Sequence, residues 1–350
     1  MKIFHNMAYE VTIGIPVYNV DKYIQNSLNS ALEQTFQNIE FLICDDCSTD
    51  KSMDVVCEYQ QNHPRGKDIH IVRQPYNMGV SAARNRIVNE AKGRFLYFMD
   101  SDDTIEANTI SLLMEHQKRL GADIVFGSYD KIETYNGNRV VDAKIYSHQD
   151  IIDEDGLAKF ANSHYGSIQS SVCNYCVDVF LLRKSGIRFI DVNYWEDMAF
   201  MFELVTICKR AVLLPNITYH YLCHYDSLSN YQQRDHIYKD EVLRSVRVAD
   251  YMKQQSLKQK HKSYFPSRCY NAAMTSFYIV CHILKNQEKI TPAFTVSELR
   301  SIMKYPVNFW DIKSFDSMRW HNLFLCLLSK LPSKSMVWAF QIIGKRRGLI

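Results

Sequence analysis

Four short apolar runs, spaced so that helical patterns fit between them, constrain this chain more than any other feature. They lie at residues 11–15, 39–44, 69–73 and 95–99. After the first run a helix is expected from Asp21 as N-cap, with Ile24, Leu28, Ala31 and Leu32 on one face. Ser48, Thr49 and Asp50 are cap candidates for a second helix. Residues 79–91 form a third, with Val80, Ala83, Ile87, Val88 and Ala91 turned inward, and a fifth strand is expected at 123–129. This βαβαβ order implies an α/β fold with a Rossmann-like, mostly parallel sheet and right-handed crossovers. Ligands of such sheets bind beyond the carboxyl ends of the strands. Polar residues collect there: Tyr18 and Asn19, Asp45 and Asp46, Asn77, and the cluster Asp100-Ser101-Asp102-Asp103.

The acid cluster follows directly on the buried-type run 95–99. Three carboxylates in four residues repel one another and are costly beside a core. A hard divalent cation, Mn²⁺ or Mg²⁺, resolves this, because it prefers oxygen ligands and keeps phosphate in its shell. The alternative is a solvated loop with Asp103 capping the next helix. Neither GxGxxG nor GxxxxGK[ST] occurs, which argues against a dinucleotide dehydrogenase and a P-loop enzyme. Asp45 or Asp46 can still accept hydrogen bonds from a base N–H or ribose hydroxyls, the alternative being a helix-capping loop. The Asp100–Asp102 spacing lets one carboxylate reach a ribose and the other a metal that bridges a diphosphate.

These segments together resemble the family 2 glycosyltransferases, inverting enzymes of the GT-A fold. The matching pieces are Val11-Thr12-Ile13-Gly14-Ile15-Pro16-Val17-Tyr18-Asn19, Ser30, Gln34-Thr35, Glu40-Phe41-Leu42-Ile43-Cys44-Asp45-Asp46-Cys47-Ser48-Thr49-Asp50, Asn77-Met78-Gly79-Val80-Ser81-Ala82-Ala83-Arg84-Asn85 and residues 93–103. The match is dense over about 130 residues and looser to about Asn230. The resemblance implies that Pro16, Tyr18, Asp45 and Asp46 line a uridine pocket, with Arg84 near the nucleotide. Asp100 and Asp102 look like the family's DxD pair, with Asp102 the metal ligand; Asp103 is expected to be structural. Glu196-Asp197 looks like its ED pair, with Asp197 as base. Cys47 stands where the family has glycine, which suggests a loop without left-handed backbone there.

A sugar hydroxyl is a weak nucleophile, so a carboxylate must take its proton as it attacks the anomeric carbon. Glu196 and Asp197 precede an apolar helix at 198–208, where acids also suit the helix dipole. Trp195 can stack on a sugar ring or anchor a core. Short strands are expected at 212–214 and 217–222. Beyond them, His224, preferred over His220, and Ser227-Leu228-Ser229 are candidates for the diphosphate or metal shell. Asp316-Ser317-Met318-Arg319-Trp320 differs at its first residue from the QxxRW of processive synthases, so a non-processive enzyme is expected.

Residues 1–230 are expected to form the catalytic domain, with 1–130 on the nucleotide side and 131–230 on the acceptor side, and 231–350 a mainly helical region. After Asp316 no acid occurs, while Arg319, Lys330, Lys334, Lys345, Arg346 and Arg347 are basic. That tail suits an interfacial helix on anionic lipid or, alternatively, a packed helical cap with a solvated end. Residues 1–10 hold no apolar signal core, and the ten cysteines are irregularly spaced, which leads us to expect reduced thiols in a cytoplasmic protein, peripheral on a membrane face if the tail binds lipid. Cys173 and Cys176 form a lone CxxC, read as packed thiols. The expected reaction is inverting, metal-dependent transfer of one sugar from a nucleotide-diphosphate sugar, a UDP-sugar, to a saccharide or lipid-linked saccharide hydroxyl. No nucleic-acid partner is expected. The rivals are a non-catalytic carbohydrate-binding or scaffold protein, and a sugar-nucleotide pyrophosphorylase, whose glycine-rich N-terminal loop is missing.

Overall fold

In the computed structural model, residues 8–135, 137–192, 194–224 and 235–350 are described. The apolar runs become strands and the amphipathic stretches between them helices: β1 (Tyr9–Val17), α1 (Ile24–Leu32), β2 (Ile39–Asp45), α2 (Ser52–Asn62), β3 (Ile69–Arg73), α3 (Val80–Glu90) and β4 (Gly93–Phe98). There follow β5 (Thr104–Ile105), α4 (Thr109–Leu120), β6 (Ile124–Glu133), β7 (Arg139–Lys144), β8 (Gln149–Ile151) and α5 (Gly156–Asn162). Then come β9 (Tyr175–Asp178), α6 (Val179–Ser185), α7 (Glu196–Leu204) and β10 (Ala211–Cys223). The main sheet runs β3-β2-β1-β4-β9-β6-β10-β5, with β7 on β6 and β8 on β10. Pairing is parallel from β3 through β4 and between β6 and β10. The carboxyl ends of β3, β2, β1 and β4 therefore share one edge, which is what brings the polar residues together.

β9 enters antiparallel between β4 and β6, and sequence reading did not foresee it. The two short strands expected at 212–214 and 217–222 are one strand, β10, with register shifts against β6 between Leu213 and Tyr219. Asp21 does not cap α1: the helix starts at Ile24, and the Asp21 N–H donates to Asp50 Oδ2 at 3.0 Å. Asp50 instead accepts from the Ser52 N–H at 2.9 Å, ahead of α2.

β1 and β2 are buried on both faces: Val11, Ile13, Ile15, Ile39, Phe41 and Ile43 alternate with Thr12, Glu40 and Cys44, and all of these are wholly inaccessible. α3 packs on β1 and β2, α6 on β4, and α4 on β6 and β9. One charge lies inside this layer. Glu40, fully buried, accepts from Thr12 Oγ1 at 2.6 Å and from the Lys92 N–H at 2.7 Å, and Thr12 Oγ1 in turn accepts from the Gly93 N–H at 2.9 Å. Glu40→Ala orphans these donors and is expected to lower unfolding free energy by about 2–4 kcal/mol. Urea denaturation measures this; an unchanged midpoint would show that the network carries no stability.

The chain divides into two compact units. Among the described residues, the first comprises 8–135, 137–157, 169–192 and 203–224, and holds the sheet. The second comprises 158–168, 194–202 and 235–350. It contains β11 (Ile237–Tyr238), α8 (Lys239–Leu257), α9 (Phe265–Lys285), β12 (Ile290–Thr291), α10 (Val296–Ile302), α11 (Phe309–Lys313), α12 (Arg319–Lys330) and α13 (Ser333–Arg346). Phe277, Ile283, Leu325, Met336 and Phe340 share its core. Arg268 is fully buried there, donating from Nη1 to the Phe202 carbonyl at 2.5 Å, with its guanidinium 3.6 Å from the Phe202 ring centre.

Candidate active site

Each parallel strand delivers its polar end residues to the same rim, and side chain–backbone hydrogen bonds tie these ends to one another. After β1, Asn19 adopts a left-handed backbone, with φ +51°, and its Oδ1 accepts from the Thr49 N–H at 2.8 Å. After β2, Asp45 Oδ1 accepts from the Ser48 N–H at 2.8 Å, and Asp45 Oδ2 lies 3.7 Å from Arg73. Cys47 has φ +64°, so the expectation of a loop without left-handed backbone is wrong. A thiol side chain occupies the glycine conformation while Asp45 and Asn19 hold the Ser48 and Thr49 N–H groups that follow it.

Asp46 turns toward the next loop. Its two oxygens accept from the Met78 and Gly79 N–H groups, each at 2.8 Å. Gly79 precedes α3 with φ +85°, a conformation open to glycine, so its N–H can point at the carboxylate. Asp46 thereby fixes the loop bearing Asn77, which is exposed. Tyr18 is exposed and Pro16 half-buried at the end of β1.

Arg84, in the first turns of α3 and buried, donates from Nη2 to Asp100 Oδ1 at 2.8 Å. Its guanidinium lies 5.7 Å from the Phe189 ring centre. The acid loop after β4 is held from below. Ser27 Oγ lies within hydrogen-bond reach of the Ser101 and Asp103 carbonyls, at 2.8 and 2.7 Å. Tyr219, on β10, accepts from the Asp100 N–H at 3.2 Å and donates to Asp103 Oδ2 at 2.5 Å. The Leu222 N–H donates to Asp103 Oδ1 at 2.8 Å. Burial, with the neighbouring Asp102 and Asp100 charges, pushes the Asp103 carboxyl well above the usual carboxylate range, and burial beside Asp103 pushes the Tyr219 phenol up. Asp103 is thus a brace for the loop and does not cap α4.

His224 lies buried, stacked on Tyr23 with ring centres 3.8 Å apart. Its Nε2 is 3.3 Å from the Asp102 carbonyl and its Nδ1 is 3.0 Å from Thr134 Oγ1. His220 has a different setting, between Asp130 at 2.7 Å and Glu106 at 2.9 Å. Burial pulls its pKa down, but the two carboxylates outweigh burial and raise it. Ser227-Leu228-Ser229 lies outside the described residues. Sequence reading missed Ser27 and Tyr23 altogether.

Trp195, Glu196 and Asp197 belong to the second unit. Trp195 has φ +68° and packs, with Tyr194 5.9 Å away, against that unit's helical core. Glu196 is buried and Asp197 half-buried, both in the first turn of α7, where the helix dipole favours negative charge. A bulky residue in left-handed backbone costs energy, and packing of the Trp195 indole on the helical core offsets the cost.

Among the described residues, no three His, Cys, Asp or Glu side chains are arranged to hold a metal unaided. Asp103 is committed to Tyr219 and Leu222. Asp100, which also pairs with Arg84, and Asp102 are the other carboxylates of the loop. Mg²⁺ or Mn²⁺ binds through one or two carboxylates plus substrate phosphates, so this sparse oxygen set fits such an ion arriving with a diphosphate.

A mostly parallel, acid-rimmed sheet with a helical C-terminal region is a GT-A-like fold. The structure of S. aureus TarS residues 1–349 in complex with UDP-GlcNAc has this fold, with a TM-score of 0.67 at 18% identity, over 97% of this chain and 92% of that one. Residues 12–180 match the family model described as glycosyl transferase family 2, so this stretch of the chain is a family 2 glycosyltransferase domain. Among its relatives, glycosyltransferase GlyG of Streptococcus pneumoniae is 26% identical over 220 residues, 61% of this chain and 71% of that protein. The Escherichia coli UDP-Glc:alpha-D-GlcNAc-diphosphoundecaprenol beta-1,3-glucosyltransferase WfaP is 28% identical over 243 residues, 68% of this chain and 87% of that protein.

Proposed function

We propose that the protein moves one sugar, with inversion, from a UDP-sugar to a hydroxyl of a lipid-linked or surface-polysaccharide saccharide, with Mn²⁺ or Mg²⁺ as cofactor. The observation that carries this reading is the rim itself, where Asp45 holds the Ser48 N–H, Asp46 the Met78 N–H and Arg84 the Asp100 carboxylate, with Asp102 in the same loop as Asp100. The name of WfaP, which pairs a UDP-sugar with a diphospholipid-linked acceptor, supports the donor and acceptor classes. The UDP-GlcNAc complex of TarS supports the donor.

On this reading Asp45, with Pro16, Tyr18 and Asn19 around it, receives the uridine. Asp46 acts through the Asn77 loop, which it orders. Arg84 fixes Asp100, and Asp100 with Ser101 faces the ribose. Asp102, with Asp100, would hold the cation, which when bound neutralises charge on the leaving diphosphate. Asp197 takes the proton of the attacking hydroxyl, Glu196 supports it, and attack from the face opposite the diphosphate inverts the anomeric carbon. Trp195 is assigned to the acceptor side and His224 to the diphosphate side, adjoining Asp102. Residues 1–230 act as the catalytic domain and 231–350 as an accessory helical region. The test is release of UDP from a panel of UDP-sugars with a saccharide acceptor, with Mn²⁺ and after EDTA. Transfer should stop with EDTA; transfer at the same rate would remove the metal from the reading.

Tyr219 is a positioning residue in this scheme. Tyr219→Phe keeps the ring but cuts the link between the Asp100 N–H and Asp103, so kcat should fall about tenfold and the Mn²⁺ concentration for half-activity should rise. A variant with wild-type Mn²⁺ dependence would show that the hydroxyl serves stability alone.

A further inference from the structure

We infer that the α12–α13 hairpin is a docking surface for an anionic lipid bilayer. α12 exposes Trp320, Phe324 and Leu327, spaced i, i+4 and i+7 and hence on one face, with Trp320 79% accessible. α13 exposes Trp338, 66% accessible, on the stripe that also carries Lys334 and Lys345. Large apolar side chains at adjoining helix faces are uncommon on a surface that meets only water.

Charge selects the occupant. The stretch after Asp316 has six basic residues, Arg319, Lys330, Lys334, Lys345, Arg346 and Arg347, and no acid. A second copy meeting this face through a two-fold axis would oppose like charges, Lys334 and Lys345 among them. An anionic lipid surface satisfies both features at once: aromatic rings sit at the headgroup level and lysine and arginine meet the phosphates. A cavity of about 200 Å³ adds a third. Met274, Phe277 and Leu325 line it, Trp320 and Phe324 edge it, and Arg347 stands beside them. An acyl segment entering it would bring its phosphate to a guanidinium. No helix among the described residues is long and apolar enough to cross a membrane, so the contact is interfacial.

This inference does not rest on the transfer reaction proposed above, and its test uses no donor sugar. The full chain is floated with vesicles of phosphatidylcholine alone and of phosphatidylcholine with phosphatidylglycerol. Binding is expected only to the anionic vesicles, weakening as salt is raised. The triple variant Trp320→Ser, Phe324→Ser, Trp338→Ser and the triple variant Lys334→Glu, Lys345→Glu, Arg346→Glu should each lose at least about tenfold in vesicle partitioning. Both alter exposed side chains, so their thermal midpoints should match the wild type. Equal binding to both vesicle types, or wild-type binding by both variants at unchanged midpoints, overturns the inference. So does a wild-type dimer in sedimentation that the aromatic variant turns into monomer, because the face would then join copies of the chain.

Discussion

Asp102→Ala is expected to lower sugar transfer by about 10³-fold, the equivalent of roughly 4 kcal/mol of transition-state stabilisation from a bound cation. The loop has several holds besides Asp102. Ser27 holds the carbonyls of Ser101 and Asp103, Tyr219 holds the Asp100 N–H, and Asp103 is gripped by Tyr219 and Leu222. His224 approaches the Asp102 carbonyl, which the variant retains. The variant should therefore stay folded and lose turnover, and raised Mn²⁺ should restore little. Comparison of initial rates with the thermal midpoint makes the measurement. Near-normal transfer at a normal midpoint would move the metal away from this loop.

The second large effect belongs to Asp197. Asp197→Asn preserves size and polarity but cannot accept the proton, so kcat should fall by about 10²–10⁴-fold while donor KM stays within a small factor. Glu196→Gln should cost less, because Glu196 is buried and supports the turn. The KM-against-kcat split matters here. A loss confined to acceptor KM would make Asp197 a binding residue, and an unchanged kcat would remove it as the base.

The parallel half of the sheet was legible in the sequence because burial on both faces writes itself as continuous apolar runs. The run at 69–73 coincides with β3, and the strands at 11–15 and 39–44 extend by only a few residues. The acids at strand ends were legible for the same reason, since a charge directly after a buried run marks the exit from the core. β9 was not, because its four residues, Tyr175–Asp178, pair with strands remote in sequence and carry no period of their own. Cys47 misled because residue type predicts left-handed backbone only weakly where hydrogen bonds from outside impose it. Ser27 and Tyr219 were illegible as supports because their partners are backbone groups more than 70 residues away. Asp46 shows the limit in the site itself: nothing in the sequence tells that its two oxygens accept from the Met78 and Gly79 N–H groups.

The central claim is that this acid rim binds a uridine diphosphate group together with a divalent cation. Calorimetric titration of UDP into the wild type with Mn²⁺, into the wild type with EDTA, and into Asp102→Ala with Mn²⁺ tests it most directly. One-site binding in the first case, with affinity lost by at least about tenfold in the other two, is the predicted result. Equal UDP affinity in all three would contradict the account.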